Sequence, residues 1–223
     1  MRLAFSTPFK VTKKEFEYRY MVDEQPKSRK ILNQFSNLIC LDLEFTCWEN
    51  SRQDDWPDPQ FPAEILQVGM ASFDLIQGRC LAKFSAYVRP ALNPRMSNYC
   101  VNLLQISQNV IDSSPTLPEV INQISSFVSD YRGDLTLVCA FGPDCKRFVD
   151  DAARHSRESP FTPFTCLNLQ QEAAKVMGMT KELPEREHIK QHFQLPPSAN
   201  RHDALDDALD VKILFDALIR QSI

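Results

Sequence analysis

No apolar run in this chain approaches the roughly 20 residues that a helix needs to cross a bilayer. The longest, such as LICLDLEF and LTLVCAFG, are short and interrupted, so no membrane contact is expected. The opening MRLAFSTPFKVTKKEFEYRY lacks a sustained apolar core followed by a small-residue cleavage site, which argues against a signal peptide. These absences predict a cytoplasmic protein, or a nuclear one if the cell is eukaryotic. There is no C-x-x-C pair. The seven cysteines are odd in number and scattered, so they read as buried free thiols rather than as a disulfide framework or a structural zinc site. An excess of positive charge is also missing: the formal net charge is -4. Its distribution says more, because residues 1–36 carry eight Lys or Arg against four acids, which leaves +4 there and -8 on the rest. A basic, polar extension (1–36) on an acidic domain (37–223) either guides a polyanion toward the body or is a solvated tail. No internal repeat or low-complexity tract is present.

What is there reads as one α/β domain. In SNLICLDLEF, Ile39, Leu41, Leu43 and Phe45 fall on one side of a strand and Asp42 and Glu44 on the other, since strand side chains alternate. EILQVGMASFD and CLAKFSAYVRP continue as strands on either side of the turn-like IQGR. LNPRMSNYCVNLLQIS leads into short helices. SSPTLPEVINQISSFVSDY is a longer helix, with Pro118 near its start and Val120, Ile121, Ile124, Phe127 and Val128 at helical spacing. DLTLVCAFG reads as a buried strand followed by a helix through DCKRFVDDAARHS, and TCLNLQQEAAKVMGM begins extended and turns helical. From Asp203 to Gln221 the helical pattern is strongest, with Ala204, Leu205, Ala208, Leu209, Ile213, Leu214, Ala217 and Leu218 forming an apolar stripe. Strands first, then helices alternating with strands, predict a mixed sheet flanked by helices.

Five polar residues stand out: Asp42 and Glu44 on the first strand, Asp144 after LTLVCAFG, and His202 with Asp207 at the start of the last helix. Two ionised carboxylates sharing one face of a buried strand repel each other unless a cation compensates them. Hard oxygen ligands suit Mg²⁺ or Mn²⁺. The competing reading of Asp42 and Glu44 is a solvent-facing edge strand. Asp144 reads equally as an acid in the first turn of a helix, stabilised by its dipole. His202 reads as a surface histidine, and Asp203, Asp206, Asp207 and Asp210 as a solvated acidic face. His155, His188 and His192 read as surface residues.

Taken in order, DLE at 42–44, EILQVG at 64–69, Asp144 after a strand and HDALDD at 202–207 resemble the signature of the DEDDh, or proofreading-type, 3′-to-5′ exonuclease superfamily. The likeness spans roughly residues 37–220. It is greatest to the histone-mRNA and RNA-interference-linked branch, through DLEFTCWE, the block from YVRPALNPRMSNYC to TLPEV, and TCLNLQ. Three positions depart from that branch: Phe45 replaces a small Ala, Pro143 stands before Asp144 where an aromatic is common, and Gln105 replaces a Gly. No nucleic-acid-binding SAP-type module is evident before residue 37.

The resemblance implies an RNase H-like, mixed five-stranded sheet flanked by α-helices, and an enzyme that hydrolyses single-stranded RNA, DNA or both from 3′ ends to nucleoside 5′-monophosphates. It implies two ions, Mg²⁺ or Mn²⁺, held by Asp42, Glu44, Asp144 and Asp207, with His202 as general base and Asp206 as rival to Asp207. It places Glu44, Phe45, Thr46 and His202 at the terminal nucleotide through backbone and side-chain groups, and Leu103 and Ile106 against its base, the competing reading of those two being plain core residues. The alternatives are a DNA-restricted proofreading or repair exonuclease, and a catalytically silent binding or regulatory module on the same fold.

Overall fold

Strand β1 (Asn37–Phe45) is apolar on both sides along most of its length, and the fold buries both. Ile39, Leu41 and Leu43 enter one core cluster, while Leu38 and Cys40 enter another across the sheet. In the computed structural model, which describes residues 34–51, 56, 58, 60–133, 135–198 and 202–221, β1 pairs antiparallel with β2 (Ile65–Asp74) and parallel with β4 (Thr136–Ala140). Strand β3 (Arg79–Tyr87) extends the sheet beyond β2, and β5 (Thr165–Asn168) extends it beyond β4, giving a mixed five-stranded order of β3-β2-β1-β4-β5. β1 is therefore central, and the edge-strand reading of Asp42 and Glu44 falls. Of the expected basic extension, all but residues 34–36 lies outside the described residues.

Helices cover both faces. On one, α3 (Leu117–Tyr131) and α4 (Asp144–Arg154) pack Ile124, Phe127, Phe148 and Ala152 onto Ile39, Leu41 and Val138. On the other, α5 (Leu169–Val176), α6 (Arg186–His192) and α7 (Ala204–Gln221) bury Ala173, Ile189, Val211 and Phe215. The α7 stripe is centred differently from the sequence pattern: Val211 and Phe215 are buried, whereas Ile213 is 37% exposed. Two short helices, α1 (Asn98–Leu104) and α2 (Gln108–Asp112), close a smaller cluster with Leu66 and Cys47. Five cysteines are buried thiols as expected, while Cys166 is half-buried and Cys80 exposed.

The segment EILQVG joins these layers. Glu64, 2% exposed, accepts hydrogen bonds from the backbone N–H groups of Ala91, Leu92 and Asn93 at 2.7–2.8 Å, fixing the loop that leads to α1. Hydrogen bonds to a charged group are worth about 1.5–3 kcal/mol each, and a buried donor left facing the wrong group costs a similar amount. Glu64→Gln keeps the shape but turns one acceptor into a donor. We expect it to lower stability by about 2 kcal/mol, or about 4–8 °C in Tm for a domain of this size. Thermal melts beside wild type check this, and an unchanged Tm would show the loop to be held by other contacts.

Candidate active site

The last residues paired between β1 and β4 are Leu41 and Ala140. Beyond them β1 runs on through Asp42 and Glu44, while the chain leaves β4 through Phe141-Gly142-Pro143 and enters α4 at Asp144. The sheet opens there, at the carboxyl ends of two parallel strands, where open α/β sheets commonly hold their ligands. The cleft measures about 420 Å³ and is lined by Asp42, Glu44, Asp144, His202 and Asp207 among others.

Two elements bring the acids together. Alternation on β1 places Asp42 and Glu44 on the face covered by α7. The start of α7 is clamped to β2 by Gln67, whose amide donates to Asp203 Oδ2 (3.1 Å) and whose carbonyl accepts from Ala204 N–H (3.2 Å). Asp203 Oδ1 in turn accepts from the N–H groups of Leu205 and Asp206, so Asp203 caps the helix rather than facing solvent. Gly69 lies opposite Asp42 on β2, and a Cβ there would meet the Ala204 backbone at 2.0 Å. His202, held at φ 68°, donates its backbone N–H to Asp207 Oδ2 (3.2 Å).

Ligand oxygens of Asp42, Glu44 and Asp207 all lie within 4.8 Å of one another. Asp144 stands outside that tight group but lines the same cleft, 7% exposed. His202 Nδ1 is 3.9 Å from Glu44 Oε1. Burial, followed by the charge of Asp144, pushes the Asp42 carboxyl well above the usual carboxylate range against the pull of Arg186. Burial likewise raises Asp207, against Arg186 and the His202 N–H. Converging oxygens whose ionised forms the protein disfavours are a donor set that fits a hard divalent cation.

Not every expected residue reaches the cleft. Thr46 is 1% exposed and its groups are spent on structure: its N–H donates to Glu64 O, its carbonyl accepts from Trp56 Nε1, and its hydroxyl bonds Pro62 O and Glu64 N–H. The polar groups of Thr46 are thus engaged within the protein, and its carbonyl holds Trp56. Ile106, 6% exposed, packs beneath α1 with Leu66 and Cys100 and is a core residue, whereas Leu103 does line the cleft. Asp206 stays outside the carboxylate group that Asp207 joins. Asp210 is buried against Lys190 at 2.6 Å instead of belonging to a solvated face. His188 and His192 are surface residues, and His155 is half-buried.

Sequence reasoning missed two features. Arg147 lies over the rings of Trp56 (4.5 Å) and Phe45 (5.5 Å), and the three line one wall of the cleft with an edge-on Phe45–Trp56 contact at 6.0 Å. Arg186, from a segment with no strong helical pattern, donates Nη2 to Asp42 Oδ1 (2.7 Å) and Nη1 to Asp207 Oδ1. Its signal was faint, a single arginine in PEREHI.

Comparison with known proteins agrees with this geometry. The RNase_T exonuclease family model matches residues 39–215. The 3′-5′ exonuclease crn-4 of Caenorhabditis elegans is 25% identical over 83% of this chain and 63% of its own length. ERI1 exoribonuclease 2 of Danio rerio is 33% identical over 47% of this chain and 18% of its own. The crystal structure of the nuclease domain of 3′hExo, a DEDDh family member bound to rAMP, superposes with a TM-score of 0.71 at 18% identity, covering 83% of this chain and 91% of that one. The chain spans less than two thirds of the length of the curated relatives it matches. With its mixed sheet, its ordered acids and a family match over most of its length, the chain belongs to the RNase_T exonuclease family.

Proposed function

We propose that this domain removes nucleotides from the 3′ ends of single-stranded RNA as nucleoside 5′-monophosphates, using two divalent ions, Mg²⁺ or Mn²⁺, and His202 as general base. The observation that carries this reading is the convergence of Asp42, Glu44 and Asp207 within 4.8 Å, in a cleft that also holds Asp144 and His202. When bound by these four carboxylates, divalent ions supply Lewis acidity, acidifying water and offsetting charge on the phosphoryl oxygens. The neutral imidazole of His202 takes the proton of the attacking water near pH 7. Glu44, 3.9 Å from Nδ1, steadies the ring and the imidazolium that forms. Phe45 and Leu103 line the cleft where the last base packs, with the aromatic wall of Trp56 and Arg147 beside them. RNA is favoured over DNA because a relative carries the name exoribonuclease.

The test is a matched set of 5′-labelled single-stranded RNA, single-stranded DNA and duplexes with Mg²⁺, Mn²⁺ or EDTA. A ladder shortening from the 3′ end, strongest on RNA and absent in EDTA, is expected. Preference for DNA would move the reading to a DNA-restricted exonuclease. Binding without mononucleotide release under any metal would make the domain a silent module.

A further inference from the structure

The arginine that bridges the carboxylates has no part in the chemistry just described. We propose that Arg186 is the protein's own counter-cation for the carboxylate set and competes with divalent metal for it, so that metal uptake requires the guanidinium to leave Asp42 and Asp207. This rests on the metal-dependent reading above and deepens it.

Three observations converge. The two guanidinium nitrogens donate to different carboxylates, Asp42 on β1 and Asp207 on α7, and these belong to the three whose oxygens gather within 4.8 Å. A planar fork spanning two carboxylates and a divalent ion shared by the same two both draw on the negative charge of that pair, so each weakens the hold of the other. The side chain is 16% exposed, and its partners 7% and 10%, so solvent screens the pair only weakly.

The backbone beneath Arg186 is fixed. One turn along α6, Lys190 is 1% exposed and donates to Asp210 of α7 (2.6 Å) and to Ser198 (2.9 Å), and the adjacent Ile189 sits in the core. Phe141 lies against the same guanidinium, its ring centroid 5.1 Å from Arg186 Cζ, so the bridging position is held by a cation–π contact as well as by the two carboxylates. The consequence is a threshold. Arg186 neutralises buried charge that would otherwise repel, and metal affinity is lower by whatever it takes to break that pairing.

Full-length wild type, R186Q and R186K are titrated with Mn²⁺ by calorimetry and by the electron paramagnetic resonance signal of free Mn²⁺, and melted in EDTA and in saturating Mn²⁺. R186Q is expected to bind Mn²⁺ about 10-fold tighter than wild type, within the range typical of coupled sites. It should melt lower than wild type in EDTA, with the gap closing in Mn²⁺. R186K retains the charge but not the fork, so it also binds more tightly than wild type, and it serves if R186Q folds poorly. Equal or weaker Mn²⁺ binding in both variants, with wild type binding and cleaving normally, overturns the role of Arg186 and leaves the nuclease reading standing. Failure of all three proteins to bind Mn²⁺ overturns both.

Discussion

Asp42→Asn is expected to reduce hydrolysis by about 10³-fold while melting no lower than wild type in EDTA at pH 7. The activity loss follows from removing a carboxylate at the centre of the acid group, which on the proposed two-metal reading forfeits several kcal/mol of transition-state stabilisation. Asp42→Ala should lose as much, and activity above about a tenth of wild type in either variant would count against two-metal chemistry. The stability half comes from linkage. Burial and the neighbouring Asp144 lift the folded pKa of Asp42 above its ordinary 3.8, so the fold retains a proton that the unfolded chain releases. The contribution of Asp42 is therefore fully favourable below 3.8 and is lost as pH rises through the raised folded value. At pH 7, without metal, the unfolded chain is ionised at this position and the fold must either take up a proton or bury the charge, so the group opposes folding, and Asn removes that opposition at the same volume. Melts of both proteins in EDTA at pH 5 and pH 7 check the sign: wild type should gain on Asp42→Asn as pH falls. A variant that melts well below wild type at pH 7 would mean that the ion pair with Arg186 outweighs burial and repulsion together.

Such a pairing of lost activity with undiminished stability fits a site that is strained for its task, since removing one of several crowded charges relaxes the fold. It also explains which parts of the site were legible in the sequence. Asp42 and Glu44 could be read because strand alternation is local and places both on one face whatever surrounds them. Asp207 and His202 share a helix start, again a local pattern. Asp144 joins the cleft because β4 lies beside β1, which no local pattern gives; the residue was singled out only through the resemblance. Arg186 was hidden because its partners lie 144 and 21 residues away, and no periodicity marks a side chain whose contacts all come from other elements. Asp210 was misread for a related reason. Four acids at the start of an amphipathic helix look solvated until Lys190, on another helix, proves to be buried against one of them. Thr46 and Ile106 are motif positions that do scaffolding work in the fold: Thr46 spends its polar groups on Glu64, Pro62 and Trp56, and Ile106 fills the space under α1. The fold itself was more legible than the site, because two-sided apolar strands and a long amphipathic helix are statements about many residues at once. Helix α6 escaped because its seven residues are mostly polar and only Ile189 and Lys190 are buried.

Gly69→Ala should cost about 3 kcal/mol or more and also cut activity by about 10²-fold, although the residue touches no substrate. Position 69 sits on β2 opposite Asp42, and an added Cβ would lie 2.0 Å from the carbonyl carbon and oxygen of Ala204 and 2.3 Å from the nitrogen of Leu205. Those are backbone atoms of a helix start that Gln67 and Asp203 already hold, so no side chain can swing aside to make room. The helix start must move away from the sheet, and His202 and Asp207, two residues before and three after Ala204, move with it. Displacement on the order of 1 Å is enough to cost about 10²-fold where several groups must meet. The lost packing corresponds to about 6–12 °C in Tm. The readout that separates this from simple unfolding is activity at a temperature well below the lowered Tm: turnover should stay depressed in fully folded protein, with Mn²⁺ affinity reduced because Asp207 no longer meets Asp42 and Glu44. Full turnover in folded Gly69→Ala protein would mean that β2 yields instead of α7, and that the close approach at Gly69 serves packing alone.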